Sequence, residues 1–215
     1  MSEDGVDTLP PSRSTAVPAD WGDADAPRRR ELIVEAALDL LHQQGLAAVT
    51  MRGVAARLGV GTMTLYTYVD GQGGLQREMV RCGFEMLNRC CTVSSTLDTG
   101  ASSSQAWFGG ARTYLRFALD HPNLYKLMFD HPLEGLEHDV LDGGFETLLE
   151  RVTQQLKATG LVSDEALPRE ARRRAGRYWI ALHGLATLAI AGRLCVLQGD
   201  LDSVLGDLLT GVAPT

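Results

Sequence analysis

The sequence lacks an apolar run long enough to cross a membrane. Its most apolar stretch, residues 179–192, holds 14 residues, whereas a spanning helix needs about 20. The opening segment MSEDGVDTLP is acidic and has no apolar core of the kind that a secretory signal carries. We therefore expect a cytoplasmic protein in which residues 179–192 form a buried helix.

Cysteine is scarce and follows no recognisable pattern. The four cysteines, Cys82, Cys90, Cys91 and Cys195, form no Cys-x-x-Cys pair. Cysteines and histidines together lack the spacing of metal ligands, so we expect no metal site. The neighbouring Cys90 and Cys91 leave one alternative open, a regulator that senses oxidants through its thiols, although buried small side chains are the favoured interpretation.

Catalytic motifs are also missing. The sequence contains no HExxH, no GxSxG and no P-loop. The glycines at 71–74 do not make a dinucleotide site, because Gln76 stands where the third glycine belongs and no strand precedes them. We therefore expect neither an enzyme nor a cofactor.

Positive charge is in deficit over most of the chain. The formal net charge is −7 overall, with −5 in residues 1–27 and −4 in residues 91–215. Residues 28–90 alone carry a positive balance, +2. A local basic face is enough to bind DNA, so this segment is where such a surface is expected.

No alternating strand pattern occurs, and apolar residues recur instead at helical spacing, so the predicted fold is all-α. Residues 1–27 are predicted to be a disordered tail in which Trp21 is exposed. Stop and cap signals delimit two early helices, one ending at Gly45 and one running from the cap Thr50 to Leu58 before Gly59. Further helices are predicted to run from near Gly61 to about Val69, from Leu75 to Cys91 before a loop over 92–104, and from Pro168 to about Leu197. Three more are predicted to start near Trp107, Leu141 and Leu201.

Residues 50–69, TMRGVAARLGVGTMTLYTYV, have the form of two short helices joined by a tight turn. Val54, Leu58 and Leu65 are spaced to bury against the preceding helix. The outward side chains of the second helix are predicted to be Thr62, Met63, Thr64, Tyr66, Thr67 and Tyr68. Hydroxyls and one apolar tip suit the major groove of DNA, and an ordinary helical hairpin is the alternative.

The stretch from about Arg29 to Leu87 resembles the DNA-binding domain of the TetR family of regulators, through ELIVEAALDLL, LGVGTMTLYTYV and GLQREMV. The segments FALDHPNLYKLMF and YWIALHGLATL resemble the ligand-binding domain of a subset of that family, marked by the Trp-x-x-x-His-Gly motif from Trp179 to Gly184. The resemblance implies a helix-turn-helix domain over 28–74 and a helical ligand-binding and dimerisation domain over 75–215.

The resemblance also implies roles for residues in the motif. Arg52 would reach a base edge, and Thr62, Met63 and Thr64 would face bases at the start of a recognition helix that begins near Gly61. Thr50, Tyr66 and Tyr68 would contact phosphates. Gln72 stands where relatives usually carry a phosphate-binding Lys, which should weaken DNA affinity and its salt dependence. The run Arg28 to Arg30 either compensates at the DNA or is a solvated charge run.

The helix after Pro168 is apolar nearly all round from Tyr178 to Ile190, so it needs cover on every side. We expect it to pair, with the last helix, against a second copy. A two-fold homodimer prefers a palindromic operator. The four arginines at 169, 172, 173 and 177 either meet an anionic ligand or form a solvated face.

Large side chains of the second half are candidates for an apolar ligand pocket. The predicted lining residues are Trp107, Tyr114, Phe117, Phe129, Phe145, Trp179 and His183, and a structural role is the favoured interpretation for His183. The resemblance implies a repressor that an unidentified small apolar inducer releases from double-stranded operator DNA. A helical adaptor that no longer binds DNA is a further alternative.

Overall fold

The structure is a computed structural model that describes residues 21–97, 103–129, 139–158, 168–194 and 203–206. These residues form helices and turns, and no strand occurs among them, which confirms the all-α prediction. The helices are α1 (Ala26–Gln44), α2 (Met51–Leu58), α3 (Thr62–Leu65), α4 (Gly71–Leu97), α5 (Ser103–Asp120), α6 (Pro122–Phe129), α7 (Asp139–Ala158) and α8 (Pro168–Ile190). A single 3-10 turn, Leu46–Ala48, joins α1 to α2, and residues 203–206 are helical.

Local cap signals set the ends of the first two helices. The Asp25 carboxylate accepts a hydrogen bond from the backbone N–H of Arg28 at 2.9 Å and so begins α1. The Thr50 hydroxyl accepts from the N–H of Gly53 at 3.0 Å and begins α2. Gly59 ends α2 in the left-handed conformation, with φ +67°. The predicted ends of both helices are confirmed.

The predicted boundaries of α3, α4 and α8 are wrong. Helix α3 ends at Leu65 rather than near Val69, because Thr67 and Tyr68 bond to carbonyls three residues back in a tighter turn. Helix α4 begins at Gly71 rather than near Leu75 and continues to Leu97, into the loop predicted over 92–104. Helix α8 ends at Ile190, because Gly192 adopts a left-handed conformation with φ +66°.

The segment before α1 also differs from the prediction. The Trp21 ring packs edge-on against Tyr68, with 6.1 Å between ring centroids, and is not an exposed tail residue. The Trp21 carbonyl accepts a hydrogen bond from Arg29 Nε at 3.2 Å. Described structure therefore starts within the predicted tail of residues 1–27, whereas residues 1–20 of that tail and Cys195 lie outside the described residues.

One buried apolar cluster runs from α1 to α8. Helix α4 joins its two ends, since it contacts α1 near the helix-turn-helix and also α5, α6 and α7. The predicted domain boundary between residues 74 and 75 falls inside α4. A second link comes from α6, whose Asn123 amide donates to the Leu41 carbonyl near the end of α1 at 3.0 Å.

No helix in the described ranges is long and apolar enough to cross a membrane.

Candidate functional site

Helix α3 has one face exposed to solvent and one face buried against the protein. Leu65 is fully buried, whereas Met63 is 79% exposed and Tyr66 52% exposed. Arg52 on α2 and Thr67 after α3 are exposed beside them. Arg52, residues 61–64, Tyr66 and Thr67 together are termed the reading surface below. An ion pair between Arg57 and Asp39, at 2.9 Å and mostly buried, holds α2 against α1 behind it.

Thr50 lies at the edge of the reading surface and already has a structural task. Its oxygen accepts the bond from Gly53 N–H that caps α2. A hydroxyl that accepts one bond still has its own hydrogen to donate. Thr50 is exposed, so this hydrogen can reach an acceptor such as a phosphate oxygen.

Tyr68, predicted to contact a phosphate, also makes several contacts within the protein. Its hydroxyl accepts a hydrogen bond from Arg29 at 2.8 Å, and its backbone carbonyl accepts from Arg30 Nε at 2.9 Å. The Arg29 guanidinium also lies 5.8 Å from the Trp21 ring centroid and 5.9 Å from that of Tyr68. Trp21, Arg29, Arg30 and Tyr68 form a cluster, the Tyr68 cluster, that fixes the chain after α3.

The arginine run before Glu31 has partners within the protein and is not a plain solvated charge run. Arg29 and Arg30 belong to the Tyr68 cluster, and Arg28 pairs with Glu31 and Glu35, each at 3.0 Å. Sequence reasoning missed these bonds because the partners lie up to 39 residues apart in the chain.

Gln72 is likewise turned inward. Its side-chain amide donates to the backbone carbonyl of Val49 at 2.5 Å and ties the start of α4 to the turn before α2. The exposed Asp70 carboxylate nearby pairs with Arg77 at 3.2 Å. The region around Gln72 thus contributes a structural tie between two helices.

A cavity of about 280 Å³ lies between α4, α5, α7 and α8. Its described lining residues are Cys91, Gly110, Tyr114, Leu148, Arg151, Val152, Gln154, Tyr178, Trp179 and Leu182. Two predicted ligand-binding residues, Tyr114 and Trp179, are in this wall. Trp107 lies on α5, but its side chain is outside the described part of the structure.

The other predicted pocket residues form a layer behind the wall. His183 Nδ1 is 2.7 Å from the Tyr125 hydroxyl, which lies 2.8 Å from the Tyr114 hydroxyl. The His183 ring stacks on Trp179 with 5.1 Å between centroids. Phe129 packs at 5.1 Å on His183, and Phe145 at 4.6 Å on Trp179. Tyr125, the centre of this network, was missed because NLYKLMF gives no signal beyond helical apolar spacing.

Phe117 is buried, and the thiols of Cys82 and Cys91 are largely covered by the protein. Phe117 packs against His121 with 5.2 Å between ring centroids, on the side of α5 that faces α1. Burial raises the pKa of the Cys91 thiol to about 12 and raises that of Cys82 as well. A thiol that stays protonated at neutral pH is a poor nucleophile, so the redox interpretation loses support. No cluster of three metal-ligating side chains occurs in the ranges that the structure covers.

A capped two-helix unit with an open second helix, joined by one long helix to an all-helical domain with a cavity, defines the class of helix-turn-helix regulators. Two family descriptions match the sequence: "Bacterial regulatory proteins, tetR family" over residues 33–72 and "Tetracyclin repressor-like, C-terminal domain" over residues 107–212. The chain belongs to the TetR family of transcriptional regulators.

Relatives agree with this membership. An uncharacterised HTH-type transcriptional regulator of Mycobacterium tuberculosis is 27% identical over 184 residues, which is 86% of this chain and 79% of that protein. The HTH-type transcriptional repressor DrrR1 of Streptomyces coeruleorubidus is 32% identical over 62% of this chain, and the match spans 45% of DrrR1. A protein of unknown function from Rhodococcus sp. RHA1 shares the fold, with a TM-score of 0.72, 20% identity, and coverage of 92% of this chain and all of that one (100%).

Proposed function

We propose that the protein is a ligand-responsive repressor that binds palindromic operator DNA as a homodimer and is released by a small molecule. The observation that carries this proposal is the reading surface, where exposed Met63 and Tyr66 flank a fully buried Leu65. A helix that hides its apolar side and offers hydroxyls and an arginine beside it suits the major groove.

Each residue of the reading surface has a chemical task in this proposal. Arg52 donates to a guanine edge, and the hydroxyls of Thr62 and Thr64 bond base edges or phosphates. Met63 contacts a thymine methyl group. The backbone at Gly61, Thr67 and the hydroxyls of Thr50 and Tyr66 face phosphates. Tyr68 and Gln72 act indirectly, by holding the ends of α3 and α4.

The dimer proposal draws support from the outer face of α8. Tyr178, Leu182, Leu185 and Ala186 of this helix are buried within the chain. On the opposite side Ile180 is 63% exposed, and Gly184 and Thr187 are exposed beside it. An apolar residue flanked by small ones permits close approach of an identical helix, and a two-fold pair would set two α3 helices about one DNA turn apart.

The test is a salt-dependent binding titration of the full chain with DNA taken from upstream of its own coding sequence. Arg52→Ala and Tyr66→Ala are measured beside the native protein, with Arg116→Ala on α5 as the control for lost charge. We expect saturable binding that weakens about tenfold or more in each reading-surface variant, the loss expected for one base or phosphate contact. The slope of log affinity against log salt should also become shallower by about 1 for Arg52→Ala if it meets a phosphate, and stay constant if it meets a base.

The Arg116→Ala control separates a direct contact with DNA from a general effect of the protein's net charge. Arg116 is exposed and far from α3 in the chain, so its loss should leave affinity unchanged. Equal binding by all three variants and the native protein would contradict the proposed reading surface.

A further inference from the structure

The cavity between α4, α5, α7 and α8 has a wall of uneven chemistry. Its aliphatic lining residues include Leu148, Val152 and Leu182, and its aromatic ones are Tyr114, Tyr178 and Trp179. At about 280 Å³ it is near the lower end of the range of about 300–1,000 Å³ that small-molecule sites occupy. A compact, largely apolar molecule with a flat ring fits such a space.

The charge of the wall is positive. Arg151 is the ionised side chain among the described lining residues, and no Asp or Glu is among them. The Arg151 charge also acts on the Cys91 thiol across the cavity wall, where it lowers a pKa that burial raises.

The neutral polar groups of the wall, the Tyr114 and Tyr178 hydroxyls, the Trp179 indole and the Gln154 amide, can each donate a hydrogen bond. The Trp179 indole nitrogen is buried and completes no hydrogen bond of ordinary geometry. It nevertheless lies close enough to the Tyr114 hydroxyl to lower the pKa of that group, against the stronger raising effect of burial. The Gln154 amide stands three residues after Arg151 on α7, which puts the two on one side of the helix. A buried N–H without a partner is costly, and an acceptor on a ligand would relieve that cost.

We infer that the cavity binds a small aromatic carboxylate, with the carboxylate at Arg151 and the ring among Tyr114, Tyr178 and Trp179. A planar guanidinium pairs with a carboxylate through two parallel hydrogen bonds, and inside a low-dielectric cavity such a pair discriminates strongly against an uncharged analogue. This inference rests on the proposed function, since it names the class of inducer that the repressor would answer to.

The test measures binding of matched probes to the full-length protein by isothermal titration calorimetry, in the absence of DNA. The probes are 2-naphthoate, 2-naphthamide and 2-naphthylmethylamine, which share one ring system and differ in charge. We expect naphthoate to bind about tenfold or more tightly than the amide, as for one charge-assisted hydrogen bond, and the amine to bind more weakly still.

Variants assign the preference to one residue. Arg151→Gln should bring acid and amide to within about twofold of one another, whereas Arg151→Lys should keep a reduced preference, because a point charge replaces the planar fork. Arg116→Gln on α5 is the charge control and should bind like the native chain. Far-ultraviolet circular dichroism of each variant checks the fold, and Arg151→Lys serves as the folded comparison if Arg151→Gln is unstable.

Several results would overturn the inference: no naphthoate binding at millimolar concentration, equal or tighter binding of the amide or amine, or an acid preference that survives in Arg151→Gln. Because these titrations contain no DNA, their failure leaves operator binding untouched. Conversely, naphthoate that binds at Arg151 but does not release operator DNA would contradict the proposed inducer mechanism and leave the assigned ligand class standing.

Discussion

Gly53 lies where α2 passes closest to the turn that precedes it. A Cβ atom at this position would stand 2.6 Å from the Ala48 carbonyl oxygen and 3.1 Å from the Thr50 hydroxyl oxygen. Because the first of these is backbone, Gly53→Ala should lower the free energy of unfolding by about 1–3 kcal/mol and weaken DNA binding. Urea unfolding measures the loss, and Gly143→Ala on α7, where nothing lies within 4 Å, should cause none. Equal stability of both variants would show that the turn before α2 moves freely.

Trp21 is the side chain through which the segment before α1 reaches the helix-turn-helix. It packs on Tyr68 and on the Arg29 guanidinium, which in turn bonds the Tyr68 hydroxyl. Trp21→Ala should therefore cost about 1 kcal/mol of stability and lower DNA affinity, because the chain after α3 loses its support. Trp21→Phe keeps a ring and should restore most of both quantities. If the Trp21→Ala variant kept the stability and DNA affinity of the native protein, the Tyr68 cluster would have no part in DNA binding.

At the scale of helices, sequence signals succeed where the deciding contact is local. Thr50 and Gly59 delimit α2 through bonds and a backbone conformation within a few residues. The Gly-rich start of α4 misled prediction because glycine disfavours helix, whereas packing and the Gln72 bond to Val49 hold it helical. The end of α8 was missed because apolar residues continue in the sequence beyond Gly192, although the left-handed conformation of Gly192 ends the helix.

The same distinction holds for the site. Helical spacing places Met63 and Tyr66 outward and Leu65 inward, as the structure has them. Spacing does not separate a cavity wall from the layer behind it, so Phe129 and His183 were named with Trp179 as candidate lining residues, although a structural role was favoured for His183. The bonds of Tyr68 with Arg29 and Arg30 join distant segments, and a single sequence carries no signal for them.

The junction of α5 and α6 with α1 contains the half-buried His121. Burial lowers the pKa of His121 below its ordinary value of 6.5; His42 lowers it further, and the Asp120 carboxylate opposes both. The unfolded chain therefore binds a proton at His121 more tightly than the folded chain does. The stability contributed by neutral His121 is present above pH 6.5 and is lost as the pH falls below that value.

His121→Gln should therefore flatten the decline in melting temperature between about pH 7.5 and 5.5. Circular dichroism melts at several pH values measure this slope. The matched control is His42→Gln, an exposed neighbour that should leave the decline largely in place. Identical slopes in the native chain and His121→Gln would mean that other groups set its acid sensitivity.

Considered as a whole molecule, the chain couples its two functional regions through shared elements. Helix α4 starts at the reading surface, where Gln72 bonds Val49, and reaches the cavity at Cys91. Helix α6 adds a second link, since Asn123 bonds Leu41 of α1 and Tyr125 bonds Tyr114 in the cavity wall. A ligand that displaces Tyr114 acts on packed helices that continue to the reading surface without a flexible linker between them. Its effect on the reading surface depends on how far α4 and α6 tilt.

In the proposed dimer, the outer face of α8 is covered by a second copy, and each copy brings one reading surface to the operator. Ile180→Glu places a carboxylate at the centre of that apolar face, so two copies would bring like charges together in a desolvated interface. Sedimentation velocity at micromolar concentration should show twice the chain's mass for the native protein and a shift towards the single chain for Ile180→Glu. Leu119→Glu on α5, also exposed at 41%, is the matched control and should sediment as the native protein does. Since each head holds one half-site, the monomeric variant should lose most of its operator affinity while its circular dichroism is unchanged. A native protein that sediments as a single chain, or an Ile180→Glu variant that remains dimeric, would exclude this face as the dimer interface.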